Sequence, residues 1–140
     1  QSSPEGGMHY SADHLKFLRE IKDFNYKYIY ENERLVIFHD YAKLILESIF
    51  KVLYKMYRGN DTIDYIRNHY LSIYPELCGT FITKLEKFSD LGGNERNPMY
   101  QNRVIYSLAR EEDFIMAIID YLSSMTDYFA IKLFDELTTF

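Results

Sequence analysis

The stretch LVIFHDYAKLILESIFKVLYKM, Leu35 to Met56, decides the fold class. Its apolar residues recur at Leu35, Phe38, Ala42, Ile45, Ile49, Val52 and Met56, in alternating steps of three and four. That is the period of a helix with one buried face, sustained too long for a strand. "RGN" follows, and Gly59 is a residue able to end the helix.

On the N-terminal side the same spacing runs through Leu15, Leu18, Ile21, Asn25, Tyr28 and Ile29, with Ser11 or Asp13 as N-cap. "ENER" then reads as a turn or bend. On the C-terminal side, Asp61 or Thr62 can cap a short helix through about Tyr70. Pro75 suits the first turn of another, through about Phe88. "SDLGGNERNP", Ser89 to Pro98, is a loop, and a short helix is predicted from Asn102 to Ala109. Glu111 opens the last helical run, with Ile115, Ile118, Leu122, Met125, Phe129, Leu133 and Leu137. No segment alternates with period two for long, and no internal repeat is evident. The expectation is an all-α fold: a single helical domain of five to seven helices, two or three of them long, over residues 11–140. Residues 1–10 read as a flexible leader, polar from Gln1 to Gly7.

Composition narrows the function classes. At 140 residues and 47% apolar, the chain can bury a core and is too apolar for a disordered segment. Fourteen Tyr, ten Phe and no Trp is an unusual aromatic load, and many tyrosines should sit half-buried with the hydroxyl on water or a partner. Net charge is −5 with the signs interspersed, so nucleic acid is not indicated as a partner. The single cysteine, Cys78, excludes an internal disulfide and suits a reducing, cytoplasmic setting. No apolar run approaches the ~18 residues of a membrane span, and no signal peptide is visible.

His39-Asp40 is the tempting chemical motif. An HD dipeptide marks the HD-domain phosphohydrolases, in which His and Asp from several helices hold a metal that activates water against phosphorus. His9 or His14 upstream and Asp61 or Asp64 downstream would have to complete the set. Yet the pair sits inside the stripe Phe38, Ala42, Ile45, within a regular helix. Tyr41-Ala42 follows where the family has a glycine-containing turn, and the upstream histidines lie in or beside the leader. His39 and Asp40 therefore read as a solvated helix pair, and no metal site is expected in this chain. His69 is isolated. Cys78 has no His placed to activate it and reads as a small buried residue. No phosphate-binding glycine loop, GxSxG elbow or HExxH occurs.

The densest polar stretch is DYLSSMTDYFA, Asp120 to Ala130. On a continuous helix Asp113, Asp120 and Asp127 share one face, and Tyr121, Ser124 and Tyr128 form a neighbouring strip. Alternatively, Thr126 breaks and recaps the helix, so that Asp127 stands at the positive end of a second segment. Either way the segment is a solvated face with caps or one wall of a polar pocket.

IIDYLSSMTDYFAIKLFDEL resembles the closing segment of the deoxyguanosine triphosphate triphosphohydrolase family, an HD-superfamily group. The family pattern is matched at Asp120, Tyr121, Met125, Thr126, Asp127 and Ala130. It is departed from at Ser123-Ser124, where the family has Ala-Gly, and at Tyr128, where it has Arg. The segment from Leu15 to Tyr57 is similar to the family's region after the catalytic domain, with Tyr30, Ala42, Ile45 and Phe50 in plausible register. The resemblance implies a C-terminal helical fragment of a metal-dependent hydrolase that releases triphosphate from deoxynucleoside triphosphates. It implies that the HD catalytic domain, with its Mg or Mn, precedes Gln1 and is the chain's packing partner, and that the parent is a homo-oligomer. It makes Asp120, Tyr121, Thr126 and Asp127 the candidate substrate-binding residues, with no catalytic residue here and no activity for the fragment alone. The alternative is a freestanding helical interaction or regulatory module with a tyrosine-rich docking face. A third reading is a miniature hydrolase built on His39-Asp40.

Overall fold

Ser11 has extended backbone and its hydroxyl accepts from the His14 N–H, which starts α1, Ala12–Asn25. In the computed structural model, which describes residues 10–91 and 96–139, α1 runs into a five-residue π-helical turn, Tyr26–Tyr30. A turn at Glu31 and Asn32 leads to α2, Glu33–Lys55. Then come α3 (Thr62–His69), α4 (Pro75–Phe88), two-residue strands β1 (Ser89–Asp90) and β2 (Tyr106–Ser107), α5 (Glu111–Ser123) and α6 (Asp127–Thr138). The all-α expectation holds, with six α-helices among the described residues. The leader residues 1–9, including His9, and the glycines of the 89–98 loop lie outside the described residues.

The chain groups into two compact units, residues 1–42 and 43–140. In the first, none of the described side chains from Tyr10 to Ala42 is buried. The second holds the core. There the stripe of α2 buries Ile45, Ile49, Leu53 and Met56. It packs with Ile63 and Ile66 of α3, Leu77, Phe81 and Leu85 of α4, Phe114 and Ile118 of α5, and Leu133 of α6. The Phe81 ring meets Phe114 edge-on at 5.8 Å and Tyr121 at 5.1 Å. Tyrosines close the rim as their chemistry suggests. Tyr54 donates to Glu111 and Tyr57 to the Leu108 carbonyl, which ties the end of α2 to the start of α5.

Helix ends follow local chemistry. α2 stops at Lys55, and Gly59, at φ 60°, takes a conformation that side chains resist. The fully buried Thr62 hydroxyl accepts from the Arg58 N–H at 2.8 Å and donates to the Gly59 carbonyl at 2.6 Å, holding that turn. Pro75 opens α4, as expected.

The helix predicted from Asn102 to Ala109 does not form. The last carbonyls of α4 need donors, and this segment supplies them. The Asn102 amide donates to the Lys87 carbonyl and the Ile105 N–H to the Phe88 carbonyl, both at 2.8 Å. Arg96 adds a bond to the Lys87 carbonyl and grips the Asn102 carbonyl and side chain. The chain continues as β2, parallel to β1, with Ser89 opposite Tyr106. The Ile105 N–H, committed to the end of α4, cannot also make the i to i−4 bond of a helix.

Candidate functional site

Asp113, Asp120 and Asp127 do not share a helix face, because the last run is two helices bent by 117°. Ser124 and Met125 close α5 through backbone bonds to Tyr121 and Leu122. Thr126 is then the N-cap of α6, its hydroxyl accepting from the Phe129 N–H. Of the two readings of this stretch, the break and recap is the one observed. Asp127 is exposed in the first turn of α6, where its charge suits the helix dipole.

The bend sorts the candidate residues. Thr126 is occupied as a cap. Tyr121 lies on the packed face of α5, 5% exposed, rather than on a polar strip with Ser124 and Tyr128. Its hydroxyl meets the Thr80 hydroxyl at 2.5 Å, and burial pushes its pKa up to about 12. Tyr128 is 77% exposed on α6.

Asp120 is exposed on α5 and accepts a hydrogen bond from the Tyr106 hydroxyl. Burial of Tyr106, reinforced by that carboxylate, raises its phenol far above the ordinary tyrosine value, so it stays protonated and donating. Lys84 of α4 stands above the Tyr121 ring, 6.0 Å from its centroid. Burial lowers the Lys84 pKa, while the Asp120 charge acts in the opposite direction. Three elements thus bring together an ammonium, a carboxylate and two phenols: Lys84, Asp120, Tyr106 and Tyr121. Of these four, sequence reading had singled out Asp120 and Tyr121, and not Lys84 or Tyr106. Lys84 sits one turn after Thr80 on α4, and Tyr106 lay in a segment read as helix, so no local signal marked either.

The cluster is not arranged for proton transfer. Both phenols hold their protons more tightly than an unperturbed tyrosine, so neither is poised for acid–base work near neutrality. What it offers is an acceptor beside a cation, over an aromatic floor. Cys78 is fully buried, and burial pushes its thiol up to about 12, which suits a packing residue.

Metal chemistry finds no fit in these residues. No group of three or more His, Cys, Asp or Glu converges among the described residues. His14 shares a hydrogen bond with the Ser11 hydroxyl, and Asp64 pairs with Arg67. His39 lines an open concavity of about 570 Å³ with Lys22, Asn25, Tyr26 and Tyr30, without a carboxylate. His69 stacks on Tyr65 and bonds its carbonyl. No single helix among the described residues is long and apolar enough to cross a membrane.

The chain is similar to two curated proteins from Leptospira interrogans, both described as deoxyguanosinetriphosphate triphosphohydrolase-like protein. One is from serovar copenhageni (strain Fiocruz L1-130), the other from serovar Lai (strain 56601). Each is 30% identical over 123 residues, which is 88% of this chain and 21% of the relative. The chain therefore spans about a fifth of the length of these relatives. No family model matches it, and no solved structure does.

Proposed function

We propose that this chain is the helical companion part of a metal-dependent deoxynucleoside triphosphate triphosphohydrolase of the HD type, acting in the cytoplasm. The similarity to the two triphosphohydrolase-like proteins, running through 88% of the chain, carries the reading. The relatives extend far beyond the matched part, which leaves ample chain for a catalytic domain. That domain holds the Mg or Mn and performs the hydrolysis. No group of three or more metal-ligating side chains converges among the described residues, and no step of the reaction is assigned to them.

The contribution of this chain is a wall at the nucleoside end of the pocket. Asp120, with one oxygen held by Tyr106, turns its remaining acceptor capacity toward a base N–H or an arginine of the catalytic domain. Lys84 sets a cation beside it for a phosphate or base oxygen. Tyr121 acts from below, as packed support for Lys84. Thr126 acts through the corner that presents Asp127.

The test compares the longer protein, its Asp120→Asn and Lys84→Met variants, and this 140-residue chain. All are assayed with Mn for triphosphate release from each of the four deoxynucleoside triphosphates. Release by the longer protein alone, with kcat/KM lowered ~10-fold or more in either variant and an unchanged melting temperature, is expected for a lost charge-assisted contact. Release by the 140-residue chain, or unaltered kinetics in both variants, refutes the proposal. A second reading, a helical interaction module, draws on the bare apolar surface of the first unit.

A further inference from the structure

Arg96 is bound more heavily than a helix end requires. Its guanidinium donates to the Lys87 carbonyl near the end of α4, to the Asn102 carbonyl at 2.7 Å and to the Asn102 side-chain oxygen at 2.8 Å. The Asn102 amide already gives the Lys87 carbonyl a donor, so a cap alone would not need Arg96. What the guanidinium adds is orientation. A planar fork on both oxygens of Asn102 fixes which way that side chain faces. The amide hydrogens are left to the Lys87 and Arg103 carbonyls.

Three residues on, the Ile105 N–H bonds the Phe88 carbonyl and β2 begins. β1 and β2 have two residues each, and a pair that short makes too few bonds to hold its own register. A slip of one residue would turn Ile105 or Ser107 into the place of Tyr106. In the observed register Tyr106 is 5% exposed and its hydroxyl donates to Asp120, while the Ser107 N–H donates to Asp113 at 2.7 Å. The strand is thus tied to α5 at two points. We infer that Arg96 is a positioning residue for Asp120: by clasping Asn102 to the end of α4, it sets the β2 register that puts the Tyr106 hydroxyl on the Asp120 carboxylate. Asp120 is exposed on its own helix, and without that hydroxyl its side chain is free to change rotamer. The consequence for the reaction rests on the nucleotide reading above; the clasp does not.

Two measurements keep the clasp and that reading apart. In the 140-residue chain with isotope-labelled tyrosine, the Tyr106 hydroxyl proton should exchange with water slowly enough to be seen by NMR, assigned by its loss in Tyr106→Phe. Arg96→Ala should abolish the signal, and so should Arg96→Lys, because an ammonium cannot bridge both Asn102 oxygens. Glu136→Ala, which loosens the opposite end of α4, should lower the melting temperature and keep the signal. In the longer protein, Arg96→Lys and Tyr106→Phe should each lower kcat/KM for triphosphate release ~5-fold, and Arg96→Lys should cost less than ~2-fold once Tyr106→Phe is present. A native chain without the signal, a signal that survives Arg96→Ala, or one lost in Glu136→Ala overturns the inference. Parent kinetics in Arg96→Lys would make charge the role, and additive losses would make it general stability; either overturns it too. Unaltered kinetics in Asp120→Asn refutes the nucleotide reading instead, and the NMR result alone then decides the clasp.

Discussion

Glu136→Ala should be among the most damaging changes of a charged residue in this protein. The Glu136 carboxylate, on α6, accepts the Glu76 N–H through one oxygen and the Leu77 N–H through the other, each at 2.9 Å. These are N-terminal donors of α4, which have no partner within their own helix. The residue before Pro75, Tyr74, makes no side-chain cap, so Glu136 does from 60 residues away what an N-cap does locally. Lys132, one turn earlier on α6, pairs with Glu76 at 2.6 Å and holds the same two helices together. Hydrogen bonds to a charged group contribute ~1.5–3 kcal/mol, and the helix dipole adds ~0.3–1 kcal/mol. Water reaches part of the half-buried site and offsets some of that. The expected loss for Glu136→Ala is therefore about 2–3 kcal/mol. At ~3 °C per kcal/mol for a chain of this size, the melting temperature should fall by roughly 6–9 °C. Glu136→Gln keeps an acceptor but not the charge, and should cost about 1 kcal/mol. Urea titration followed by circular dichroism measures both. A Glu136→Ala variant within ~0.5 kcal/mol of the parent, at unchanged m-value, would refute the reasoning and mean that water caps α4 equally well.

Two further outcomes follow from the same structure. The Ser107 N–H and the Arg110 guanidinium hold the Asp113 carboxyl below the usual aspartate range. A group whose pKa is lower folded than unfolded contributes stability above its unfolded value, ~3.9, and loses that contribution as pH falls through the folded value. Stability measured from pH 6 to 3 should therefore fall on acidification, and the Asp113→Asn variant should show a shallower fall; parallel curves would contradict this assignment. Cys78, fully buried with its thiol pushed up to about 12, should react with a thiol reagent only as fast as the second unit opens. Rapid stoichiometric labelling in native buffer would contradict the packing of α4.

Local sequence determined most of the helical segments and several of the points where they stop. Three-and-four spacing needs only the residues of one helix, and a local cap needs only neighbours within four positions. Ser11, Gly59, Pro75 and Thr126 were all legible for that reason. Tertiary structure decided what each helix end does next. The segment from Asn102 to Ala109 gave up helical bonds because the carbonyls at the end of α4 claimed its donors. Tyr121 changed from a polar-strip residue to a core residue because Thr80 gave its hydroxyl a partner, which let the ring be buried. The cluster of Lys84, Tyr106 and Asp120 exists only after α4, β2 and α5 have packed. Its members are set by bonds between residues far apart in the chain, and a periodicity of a few residues carries no record of those.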